Sequence, residues 1–306
     1  MDFYGTPISS LENSYLQLDY LIGAGPRIVR LVLKDPSAAG NLLAEVPDKK
    51  IDTPNGTYYF RGGHRLAYAP ETFPGTYYPD NEGLSINEIK GGVRLCQPVE
   101  PLTGIRKAID ICLEPNRPSL TLTHHLYNDS TLPVDLAPWG ITQLRLGGLA
   151  LLPKSPPLSG EKSMRPNRNL VLWSYTQWGD PRLEIDDDYV LVHAQPDSRP
   201  CKLGNLNVCG WVGYLNNNVL LVKRFEPQPE LPHPDMGCNV EVYCNDEYIE
   251  LETLAPMQHL LPGQEAVFPE TWEFYAGLPN LPMNFDGIRS TIEALHLSRK
   301  PSTYKS

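Results

Sequence analysis

The sequence lacks the features that mark several large classes of protein. No apolar run approaches the ~20 residues that a membrane-spanning helix needs, so a membrane is not an expected partner. The N-terminus, from Met1 to Tyr15, has neither a basic stretch nor an apolar one. A secretory signal is therefore not expected, and the chain is read as cytoplasmic. Positive charge is short: 26 Lys and Arg stand against 36 Asp and Glu, a formal net charge of −10. Affinity for nucleic acid comes mainly from cations that displace phosphate counterions, so nucleic acid is not an expected partner either. The six cysteines form no CxxC pair, and a chain of 306 residues needs no disulfide to fold. Buried free thiols are expected. No GxSxG, Walker loop, GxGxxG or HExxH occurs, which leaves hydrolase, nucleotide and zinc-protease readings without a motif. No metal and no cofactor are expected.

What is abundant is proline. Its 31 copies, about a tenth of the chain, are spread throughout and break it into short segments. Many of those segments alternate apolar and polar residues, the mark of half-buried strands. Residues 105–113 place branched apolar side chains on odd positions, and residues 120–126 place leucines on even ones. Strands are also expected over 28–34, 170–178, 189–194, 211–214, 219–225, 240–244, 248–254 and 267–275. Turn-forming triplets such as Pro54-Asn55-Gly56, Asn216-Asn217-Asn218 and Pro262-Gly263-Gln264 separate them. One stretch reads as helix: Ile288, Ile292 and Leu295 recur at i, i+4 and i+7 behind Asn284 or Asp286 as a cap. The pattern predicts an all-β fold, one large β-sandwich domain over residues 1–306. Residues 151–169 are expected as a surface loop, and 284–306 as a C-terminal helix and tail.

Four groups of residues could carry chemistry. In Arg61-Gly62-Gly63-His64-Arg65 two glycines permit a close backbone approach, and the cations could hold a hydroxyl, carboxylate or phosphate. The alternative is a tight turn whose arginines pair with Glu71 or Asp80. In the 248–254 strand, period two sets Glu250 and Glu252 on one face at ~6.5–7 Å. Burial or a carboxylate neighbour would raise one pKa toward the range a general base needs; the alternative is a solvated outer face. His124 falls in phase with leucines and reads as a hydrogen-bonded core histidine, whereas His125 shares a polar face. The loop from Pro232 leads into a strand, and its Asp235, Asn239 and Glu241 offer acceptors suited to sugar hydroxyls. Tyr and Trp, 16 and 5 against 7 Phe, supply rings that stack on sugars and also hydrogen-bond. Tyr58, Tyr59, Tyr77, Tyr78, Trp139, Trp173 and Trp178 form the expected pool.

The order of these segments resembles the galactose mutarotase-like, or aldose 1-epimerase-like, superfamily, and a bacterial branch of it in particular. Gly25-Pro26-Arg27-Ile28-Val29-Arg30-Leu31 with Gly40-Asn41-Leu42-Leu43 is similar to the opening hairpin of that branch. Arg61-Gly62-Gly63 stands where sugar mutarotases carry His-Gly-Gly and hexose-phosphate epimerases Arg-Gly-Gly. Tyr127-Asn128-Asp129-Ser130 with Leu132-Pro133-Val134 is similar to the family's connection from Asn to Pro. Glu250 to Leu254, Leu261-Pro262-Gly263-Gln264 and Glu270-Thr271-Trp272 resemble its C-terminal segment. The resemblance implies a β-supersandwich that binds a sugar and interconverts its anomers: a Glu takes the anomeric proton, a His protonates the ring oxygen, and the open chain recloses on its other face. It assigns the base to Glu252 and substrate binding to Arg61. The family's acid His has no counterpart, because the chain reads Ala137-Pro138-Trp139-Gly140-Ile141 there. His64 or His233 would have to supply the proton, with Arg65, Asp235, Asn239 and Glu241 lining the site. The alternatives are a sugar-binding protein without catalysis, or a lyase or hydrolase that holds an acidic saccharide on Arg61, His64 and Arg65.

Overall fold

A computed structural model describes residues 1–38, 40–278 and 283–297. Among these residues the strands form two antiparallel sheets, of 12 and 10 strands. The larger sheet has at its centre Gly56–Ala69, Val134–Leu144, Ile249–Leu254, Val240–Cys244 and Cys201–Asn205, hydrogen-bonded in that order. The smaller has at its centre Leu149–Pro153, Trp211–Asn216, Val219–Arg224, Glu265–Tyr275 and Ser119–Asn128. Their facing sides enclose one main core, which runs from Leu16 and Leu18 through Ile109, Leu122 and Leu203 to Leu251 and Trp272. The all-β expectation and the β-sandwich are what is found.

The helix Phe285–Ala294 starts where expected, with the Asn284 side chain accepting from the Gly287 amide. Its Ile288 and Ile292 pack with Leu149, Leu151, Trp211 and Val222, on the outer face of the smaller sheet. Residues 298–306 of the expected tail lie outside the described residues. No described helix is long and apolar enough to cross a membrane.

Two expectations need correction. Residues 151–153 belong to the buried strand Leu149–Pro153, and the exposed segment begins only after it. An apolar run covered on both faces, by the core on one side and the helix on the other, shows no alternation for a sequence reading to detect. Of 170–178 only Val171–Leu172 is strand. Beyond it the Lys202 carbonyl accepts from the Trp173 amide and the Thr176 hydroxyl, and the Lys202 amide donates to that hydroxyl in place of a backbone carbonyl. All six cysteines are free; Cys201, Cys238 and Cys244 are buried and the other three half-buried.

Candidate functional site

Register decides which side chains meet. Arg65 pairs with Ile141, Ile141 with Glu252, Glu252 with Glu241 and Glu241 with Gly204, so these five form one row across the sheet. The next row contains His64, Thr142, Leu251, Val242 and Leu203. Side chains of adjacent residues point to opposite faces. The first row therefore faces away from the core and the second into it.

On the outward face lies a cleft of about 330 Å³, lined by Lys49, Phe60, Arg65, Glu71, Tyr77, Trp139, Trp173, Tyr175, Pro200, Lys202, Tyr243, Tyr248 and Glu250. Seven of these thirteen are aromatic, which suits the apolar faces of a sugar ring. Lys202 lies at its floor. Its ammonium is 2.7 Å from Glu241 Oε2 and 3.0 Å from Glu252 Oε2, and 4.7 and 4.6 Å from the ring centres of Trp139 and Trp173. Burial opposes that charge, but Glu252 and Glu241 outweigh it and hold the Lys202 pKa well above the usual lysine value. Gly204 makes room for this arrangement: a Cβ there would come within 2.9 Å of Glu241 Cγ and 2.8 Å of Cys238 Sγ.

Glu250 reaches the cleft directly. Its Oε1 accepts from Gln143 Nε2 at 2.8 Å and is 3.9 Å from Arg65 Nη2. Burial and the neighbouring Glu252 push its pKa up to about 7, against the pull of Arg65 and Lys202. Glu252 is fully buried behind the lining, its Oε2 accepting from Trp139 Nε1 at 2.7 Å and from Lys202. Its Oε1 has no hydrogen-bond partner, and neither do Gln143 Oε1 or Arg65 Nε. Glu241 is held well above the usual carboxylate range, by burial first and by Glu252 second; burial likewise raises Asp235, whose carboxyl lies beside that of Glu241.

The structure thus brings together Glu252, Glu241, Arg65 and Asp235, with Glu250, and separates the rest. His64 points into the core, where Nδ1 meets Thr142 Oγ1 at 3.0 Å and Nε2 meets His124 Nε2 at 2.8 Å. It cannot share a substrate with Glu252 on the other face. Arg61 does not line the cleft; it pairs with Asp80, which also binds Arg27. The expected pairing with Asp80 is found for this residue, but the segment is no tight turn, since it runs within the strand Gly56–Ala69. Gly62 and Gly63 have φ of 88° and 74°, and a Cβ on either would collide with the carbonyls of Ala44 and Ile28. The double glycine serves a backbone crossing. Asn239 is spent on Asn207, accepting from its amide at 2.6 Å and donating to its carbonyl at 2.9 Å. His233 bonds the Gln228 carbonyl and is not in the cleft lining. His124 is the expected core histidine, with Nδ1 3.0 Å from the Phe268 carbonyl.

Of the expected aromatic pool, Tyr77, Trp139 and Trp173 line the cleft, while Trp178 is 84% exposed. Sequence reasoning missed Lys202, Lys49, Phe60, Tyr175, Tyr243 and Tyr248. Lys202 had a signal, a lone charge between apolar Cys201 and Leu203. Tyr243 had one too, sharing a face with Glu241 in a strand already recognised.

No protein-family profile matches the sequence, and no curated protein matches it. Solved structures match in fold. A TPR-domain containing protein from Parabacteroides distasonis ATCC 8503 aligns at a TM-score of 0.60 and 14% identity, over 90% of this chain and 49% of that one. This chain spans about half the length of that protein. A galactose mutarotase-like protein from Lactobacillus casei ATCC 334 aligns at 0.51 and 12%, over 88% of this chain and 100% of the other. A candidate aldose 1-epimerase from Escherichia coli K12 aligns at 0.52 and 12%, over 89% and 100%. At these identities the likeness establishes the fold, that of the galactose mutarotase-like β-sandwich.

Proposed function

We propose that the chain binds a neutral aldose in the aromatic cleft and interconverts its anomers, with Glu250 as the proton carrier. The observation that carries this reading is a carboxyl with a pKa near 7 set among seven aromatic rings. A group poised near the working pH can both take and return a proton. Glu250 takes the proton of the anomeric hydroxyl O1, C1=O1 forms, and the C1–O5 bond breaks with its electron pair on O5. The same carboxyl returns the proton to O5, since its two oxygens can span two atoms bonded to one carbon. Rotation about C1–C2 and the reverse steps give the other anomer. This route needs no histidine, which fits the absence of one from the cleft lining.

The charge balance supports a neutral ligand. Lys49 pairs with Glu247, Lys202 with Glu241 and Glu252, and Glu71 with the Tyr77 hydroxyl. With Arg61 tied to Asp80 and His64 in the core, Arg65 alone of the expected basic cluster reaches the cleft, and it faces Glu250 at 3.9 Å. Anomer exchange measured by NMR on free aldoses tests the proposal. Glu250→Gln is expected to lower the rate by about 10²–10⁴-fold while tryptophan fluorescence still reports sugar binding. A parent rate no faster than the spontaneous one on every aldose, with binding intact, would reduce the site to sugar binding alone.

A further inference from the structure

We propose that Lys202 is a second catalytic residue, whose ammonium donates a hydrogen bond to the ring oxygen as its bond to C1 breaks. The inference rests on the functional reading above and supplies the electrostatic element which that reading leaves open. As C1–O5 breaks, negative charge develops on O5 before the proton arrives from Glu250. A donor fixed in a water-poor site lowers the barrier at that point, because it needs no reorganisation when the charge appears.

The position of Lys202 meets this requirement. Lys202 pairs with Tyr243, and Tyr243 with Glu250, so the two charged groups stand in one row on the cleft face with a single strand between them. Two inter-strand spacings of ~4.8 Å set their Cα atoms roughly 10 Å apart, so the two long side chains can converge on one pyranose from either side. An ammonium has three N–H donors. Glu252 accepts from one and Glu241 Oε2 stands 2.7 Å away, and since Lys202 lines the cleft a remaining donor is assigned to a ligand oxygen. Trp139 and Trp173 flank the ammonium and restrict its motion. Buried Glu252 then acts by aiming Lys202, a positioning role. The lysine keeps its proton throughout: one proton moves from O1 to Glu250 to O5, and Lys202 stays paired with Glu252 and Glu241.

The test separates rate from binding. Lys202→Met is expected to lower the exchange rate by about 10²–10³-fold while sugar affinity, read from tryptophan fluorescence, falls less than about tenfold. Because that change leaves Glu241 and Glu252 without their cation, Lys202→Met/Glu241→Gln, which removes the ammonium together with one of the two carboxyls facing it, is measured beside it. Thermal melts identify which variants are folded. If neither folds, Lys202→Arg decides: it keeps both ion pairs, and its planar fork should still cost at least about tenfold in rate. A folded variant that exchanges anomers within about threefold of the parent overturns the role of Lys202 and leaves that of Glu250 standing. A parent that binds sugar without exchanging it overturns both.

Discussion

A buried lysine lies against each face of the larger sheet, Lys202 from one of its own strands and Lys223 from the smaller sheet, and their surroundings differ. On the core face Lys223 lies 3.5 Å from Glu270 Oε2 and donates to Thr253 Oγ1 at 3.1 Å and to the Leu251 carbonyl at 3.2 Å. Glu270 also accepts from the Thr253 hydroxyl and from Trp272 Nε1. The histidines beside them are equally settled. His124 Nδ1 faces a carbonyl and so carries its proton; its Nε2 accepts from His64 Nε2, and His64 Nδ1 accepts from Thr142. On the cleft face Lys202 is paired, yet Glu252 Oε1, Gln143 Oε1 and Arg65 Nε are buried with no partner. Buried polar groups are normally satisfied. The incomplete network at the cleft fits the proposed ligand site, and the complete one in the core holds two sheets together.

Breaking the complete network should cost most. Lys223→Met removes the cation and leaves Glu270 buried without its partner, for a loss of about 3–5 kcal/mol, read from urea unfolding. Lys223→Met/Glu270→Gln should recover part of that loss, and failure to recover any would refute the pairing. Next in size, Trp139→Phe removes the 2.7 Å bond to Glu252; a lost hydrogen bond to a charged group costs about 1.5–3 kcal/mol. Unchanged unfolding in this variant would show that Glu252 does not depend on the indole.

The remaining predictions concern pH, where the two faces should respond in opposite directions. Glu250 titrates at about 7 when folded against 4.5 when unfolded. Between those values the unfolded chain releases a proton that the folded chain keeps, so this group lowers stability as pH rises from 4.5 to 7. Glu250→Gln should therefore melt higher than the parent at pH 7 and at the same temperature below pH 4.5. Equal melting at both would mean that the carboxylate is solvated. The same titration predicts an exchange rate that rises with pH through a midpoint near 7. On the core face burial holds His64 and His124 below the ordinary 6.5. Below that pH the unfolded chain binds protons the folded chain does not, so stability falls as pH drops under 6.5. Replacing His124 with Gln should reduce the slope of Tm against pH between 6.5 and 5 by up to about one proton, and an unchanged slope would place the acid sensitivity elsewhere.

Much of the fold was legible in local pattern. The strands Ile105–Leu113 and Val240–Cys244 coincide with their alternation, and Asn284 caps the helix as expected. The pair Glu250 and Glu252 was legible as a pair on one face, because period two requires it. What pattern could not give was depth. Both carboxylates are buried, one at the cleft and one behind it, and neither is on the solvated face that a free strand would present. Nor could it give sidedness, since Arg61, His64 and Arg65 look like one basic cluster in sequence but separate into an anchor for Asp80, a core histidine and a cleft residue.

The sequence by itself thus determined the class of fold, the strand periodicities, the capped helix and the presence of paired acids, all of which depend on residues within a few positions of one another. Only the tertiary structure decided that Lys202 meets Glu252 across 50 residues and that His64 meets His124 across 60. Such meetings depend on which strands become neighbours and in which register. A shift of one residue in register would exchange the two faces of a strand, and no local pattern in this chain states which neighbour or which register the sheet adopts.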